Sequence, residues 1–151
     1  MQPQTVKKGL LLSGLLMFFS GCVLALIPHD VIPSYRPLVT FHLEQVTNGA
    51  LLLGLAAAVD EMHLGSGLWT LFFVLANVGT WLNGLTFLVC AFTASAIPIA
   101  PIMSSQGNLK ENAYTPALVQ TLLLCVLAFL PALVLAMVGV IRGPPPKPKR
   151  Q

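Results

Sequence analysis

Four stretches of this chain are too long and too apolar for water to be their natural solvent. A helix crosses a hydrocarbon core of about 30 Å with about 20 mostly apolar residues. Residues 9–27 contain no charge. Residues 37–59 open on Pro37, which suits a first helical position because its missing N–H would be unpaired there anyway. Residues 68–96 and 115–141 complete the set, with Pro116 at the start of the last and Pro131 inside it, where a kink is expected. The runs do not alternate, so a lipid-spanning barrel is excluded. Backbone groups in lipid must be paired within the segment, which leaves four helices. The expected fold is all-α, an integral membrane antiparallel four-helix bundle over residues 1–141.

Composition agrees. Hydrophobic residues make up 56% of the 151 and charged residues 9%, against about 25% charged in soluble domains. An ordinary cytosolic enzyme, a disordered chain and a nucleic-acid binder are excluded. The net charge of +3 matters through its placement. Four crossings put both termini on one side, with Lys7, Lys8, Arg142, Lys147, Lys149 and Arg150; the other side carries Arg36 and Lys110. The bias favours cytoplasmic termini, and the expected location is the cell inner membrane. Residues 142–151, basic and Pro-rich, read as a disordered arm on anionic headgroups. The connection 97–114 reads as an extracytoplasmic loop. A lipoprotein signal ending at Ser20-Gly21-Cys22 is the processing alternative, opposed by the apolar run continuing through Val23 to Ile27. Cys22, Cys90 and Cys125 fall on three different segments and read as buried thiols.

Polar residues inside the spans carry the functional signal, because ionisable groups there are costly. The second segment holds His42-Leu43-Glu44-Gln45-Val46-Thr47-Asn48-Gly49. At helical spacing His42, Glu44, Gln45, Asn48 and Gly49 fill one arc of about 160°, descending from roughly 8 Å to roughly 16 Å into the membrane. In the third segment Asn77, Thr80, Trp81, Asn83 and Gly84 fill a similar arc. The expectation is one polar cavity between the two helices. Gln45, Thr47, Thr80 and Asn83 also suit plain interhelical hydrogen bonding, and His42 has the plain alternative of a satisfied interfacial histidine.

The chemistry open to His42 is narrow. No second histidine shares its span, whereas a zinc site takes three or four protein ligands. HExxH, CxxC and a Ser–His–Asp set are missing. A lone imidazole does fit a proximal haem ligand, since haem brings its own four nitrogens.

The run from His42 to Gly49 resembles the HLEGxxNG-type segment of hydroxylaminobenzene mutases, small four-helix membrane proteins. The His-x5-Asn-Gly spacing and Ala76-Asn77-Val78-Gly79 also resemble the related styrene oxide isomerases, and the run from Trp81 through Pro98, Pro101 and Gly107 resembles the mutases. The resemblance covers about residues 9–141. It implies haem b, with His42 as the axial ligand to iron, in a homotrimer whose haem lies between protomers and acts as a Lewis acid on a small aromatic substrate. It implies that Asn48 orients that substrate, with Asn77 and Trp81 as further catalytic candidates. The isomerases carry a tyrosine where this chain has Trp81, which points to the mutase reaction, hydroxylaminobenzene to 2-aminophenol. Epoxide isomerisation is the alternative, followed by a small transporter using Glu44, an electron-transfer protein and an assembly subunit.

Overall fold

The computed structural model describes residues 1–99 and 109–144. Four long helices account for most of them: α1 (Pro3–Leu24), α2 (Tyr35–Ala58), α3 (Ser66–Thr93) and α4 (Thr115–Ile141). Short 3-10 turns at His29–Val31 and Val59–Glu61 lie in the first two connections. No strand occurs among the described residues. The expected fold class is therefore the observed one. Residues 100–108 of the third connection and 145–151 of the expected arm lie outside the described residues.

The helix bounds have local causes. α1 begins six residues before the apolar run does, with Pro3 in its first turn, so Lys7 and Lys8 ride on the helix. α3 stops where Ala94 takes a left-handed conformation, φ 49°. Asn112 then ties the far side of that connection back, donating to the Thr93 carbonyl at 3.2 Å and accepting from Ser95 at 2.9 Å. α4 runs through Pro131 without interruption.

Successive helices are antiparallel. α2 packs on α1 and α3, and α4 packs on α3. The N-terminal amine donates to the Ser66 carbonyl at 3.1 Å, and the His63 amide donates to the Gly139 carbonyl at 2.9 Å. The start of α1 and the end of α4 therefore share one end of the bundle. There Lys7 pairs with Asp60 across exposed surface, and this hydrogen bond holds the Asp60 carboxyl below the usual carboxylate range.

Small residues set the spacing between helices, as they do where apolar side chains gain little from leaving lipid. α1 and α2 touch backbone to backbone: a Cβ on Gly14 would stand 2.9 Å from the Gly49 carbonyl oxygen, and a Cβ on Gly49 the same distance from that of Gly14. The face α4 turns to the protein is Cys125, Ala128, Ala132, Ala136 and Gly139, all buried. Large apolar side chains point outward instead, among them Leu12, Leu15, Phe19, Leu127, Leu130 and Met137. That inversion suits a lipid solvent.

Three helices, α1, α3 and α4, are long and apolar enough to cross a membrane. α2 departs from the expectation of four such helices. Its 24 residues cover about 36 Å at 1.5 Å per residue, but the polar run from His42 to Asn48 lowers its apolar character. Its place against α1 and α3 lets that run find partners in protein.

Candidate functional site

The expected single cavity between α2 and α3 is divided. The polar residues of α2 turn toward two different neighbours, because α1 covers one flank of their arc and α3 the other.

His42 lies on the α1 side, half-buried, with Nδ1 3.0 Å from the Gly21 carbonyl oxygen. A carbonyl can only accept, so Nδ1 is the ring nitrogen that donates in this contact. Gly21 permits the approach. A Cβ there would stand 3.0 Å from the Gln45 Cβ and 3.4 Å from the His42 carbonyl oxygen. The ring borders a pocket of about 120 Å³ with Ala25, Tyr35, Leu38 and Val39. Val39 and Leu43 beside it are exposed on the outer face of the bundle.

Gln45 sits between α1 and α3, fully buried. Its Nε2 donates to the Ser20 hydroxyl at 3.2 Å. Its Oε1 has no hydrogen-bond partner and lies against Gly84.

Glu44 and Asn48 face α3. The Glu44 Oε2 accepts from Asn83 Nδ2 at 2.5 Å and from Asn48 Nδ2 at 3.3 Å. Asn48 and Asn83 line a cavity of about 140 Å³ together with Gly79, Leu122, Cys125, Val126 and Phe129. This cavity belongs to three helices, and α4 supplies the apolar wall.

Asn77 and Trp81 are not gathered with Asn48. Ser13 of α1 donates to Asn77 Oδ1 at 2.5 Å and accepts from Trp81 Nε1 at 2.7 Å. Asn77 Nδ2 donates to the Phe73 carbonyl of its own helix at 2.9 Å. Thr47 and Thr80 likewise bond to carbonyls one turn back on their own helices rather than across the bundle. Ser13 was not legible as a hub. The signal for it was a hydroxyl in the middle of an otherwise uncharged apolar run. Phe129 and Cys125 carried no signal beyond helical spacing.

Among the described residues no three His, Cys, Asp or Glu side chains gather as a metal site. What the protein offers a metal centre is one imidazole, which suits a group that brings the rest of its ligands.

No curated protein and no solved structure matches the chain. A family model described as styrene oxide isomerase matches residues 6–141, from the first turns of α1 to the last residue of α4. The match thus takes in both the His42 pocket and the Asn48 cavity. The chain belongs to the styrene oxide isomerase family, and its function is of the isomerase kind.

Proposed function

We propose that the chain is a membrane-bound, haem-dependent isomerase of the hydroxylaminobenzene mutase type, working in the inner membrane with both termini in the cytoplasm. The observation that carries this reading is the orientation of His42. With Nδ1–H held by the Gly21 carbonyl, Nε2 is the atom left to coordinate iron, the arrangement by which a second partner fixes a ligand histidine's tautomer. The residues fit haem b: a single imidazole, apolar neighbours and an outer face that another molecule can cover. Bound there, haem would supply a Lewis acid for the substrate oxygen.

The rest of the chemistry falls to the chain. In the mutase reaction the N–O bond breaks, a C–O bond forms at the ortho carbon, and the proton displaced from that carbon passes to nitrogen. Atoms and electrons balance without a cosubstrate. Asn48 holds the substrate so that the migrating oxygen reaches the ortho position. Leu122, Val126 and Phe129 keep water from competing for the electron-poor ring.

His42 and Asn48 open on different sides of α2. A ring of copies resolves this, because in a head-to-tail assembly one face of each chain meets a different face of the next. We place the haem in such a contact, in a homotrimer.

The family match supports epoxide isomerisation as a second reading. Trp81 weighs against it. The isomerases are expected to present a tyrosine at that position, whereas here the indole N–H is bonded to Ser13. The assay is purified chain, supplied with hemin, given hydroxylaminobenzene or styrene oxide with no reductant. The mutase reading expects 2-aminophenol as the main product and a much slower reaction with the epoxide. Fast turnover of the epoxide alone would overturn it in favour of the second reading.

A further inference from the structure

We propose that Glu44 is a positioning residue that turns the carbonyl oxygens of Asn48 and Asn83 toward their shared cavity, making it a site for a single-ring aromatic ligand that carries an O–H or N–H donor. The substrate class rests on the mutase reading; the geometry does not.

A carboxyl oxygen that carries no proton only accepts hydrogen bonds, while an amide side chain has one accepting and one donating end. Oε2 of Glu44 takes an N–H from each asparagine, at 3.3 Å from Asn48 and 2.5 Å from Asn83. Glu44 itself is not part of the cavity wall. It therefore acts from behind, fixing which way both amides are turned. Neither Oδ1 is engaged by another described residue, and neither is a buried atom without a partner. Both are thus left to a guest. The remaining wall, Gly79, Leu122, Cys125, Val126 and Phe129, offers a ring apolar contact and one aromatic face.

Size agrees with one ring. The cavity measures about 140 Å³, and an apolar cavity of about 150 Å³ is known to accept benzene. Two acceptors at the polar end discriminate by chemistry. A hydroxylamine, aniline or phenol satisfies them, whereas an epoxide or ether brings further acceptors and leaves them unpaired. A site built to hydrogen-bond one group rejects an analogue without it for this reason.

The test compares phenol with anisole, which keeps the ring and oxygen but has no donor. Binding to the purified full chain is followed by titration calorimetry, with haem content read in parallel. The wild type is expected to bind phenol about tenfold more tightly than anisole, the scale of one net hydrogen bond. Glu44→Gln can donate as well as accept, so it frees the asparagine amides to turn. Its preference is expected to fall to within about twofold, with haem content unchanged. A wild type without preference, or a Glu44→Gln variant that keeps it in full, overturns the proposal. Should Glu44→Gln fail to accumulate, Asn48→Leu removes one carbonyl directly. Loss of most of the preference there supports the proposal, and full retention overturns it. Because the readout is binding, a chain that binds no haem can still satisfy or fail this test.

Discussion

Gln45 carries opposed demands in one side chain. Its Nε2 reaches the Ser20 hydroxyl, while its Oε1 is buried against Gly84 without a partner. A net hydrogen bond stabilises by about 1 kcal/mol, but a buried unpaired acceptor costs about 1–3 kcal/mol. Ser20 also donates to the Met17 carbonyl at 2.9 Å, so it is not orphaned when Gln45 changes. Gln45→Met, close in volume and without the amide, is expected to leave the thermal midpoint in detergent unchanged or to raise it. A large fall would show that the amide has a partner the geometry does not supply. At this scale the residue types were legible and their directions were not. His42, Gln45 and Asn48 share an arc on a helical wheel, but α1 and α3 divide it. A wheel for one helix cannot say where its neighbours stand. Trp81 departs from the expected shared cavity for the same reason: its indole N–H is bonded to Ser13 of α1.

At the scale of the element, α2 is the helix the others exist to hold. Its polar run keeps it from being apolar enough to cross by composition alone, so contact with α1 must compensate. The Gly14–Gly49 crossing allows that contact, with Phe18 also close above Gly49. Gly49→Val places new carbons where the Gly14 carbonyl and the Phe18 ring already stand, and overpacking of this kind costs about 1–3 kcal/mol. A clear fall in thermal midpoint is expected, with the His42–Gly21 contact and haem retention weakened alongside. An unchanged midpoint would mean that α1 and α2 do not cross there. The helix count and the extent of α4 were legible from run lengths. The starts of α1 and α2 were displaced because polar residues such as Lys7 and Tyr35 can continue a helix beyond its apolar core, which hydropathy does not record.

Over the whole molecule, the four antiparallel helices leave His42 and the Asn48 cavity on separate faces, with α4 packed mainly on α3. The proposed reaction therefore calls for a second copy to bring the two faces together. Light scattering of the detergent-purified protein, corrected for bound detergent, is expected to give a mass three times the 16.1 kDa of one chain. A monodisperse monomer with full isomerase turnover would contradict the shared site. The architecture could be read in the sequence because lipid admits so few backbone solutions; the assembly could not, since the pattern of one chain does not show which face its copy covers.

The account rests on His42 as the axial ligand, and an absorption spectrum tests it most directly. Wild-type chain purified in detergent and supplied with hemin is expected to show a Soret band that His42→Ala lacks and Asn48→Ala keeps. A His42→Ala variant with the full wild-type band, or a folded wild type that takes up no hemin, would contradict it.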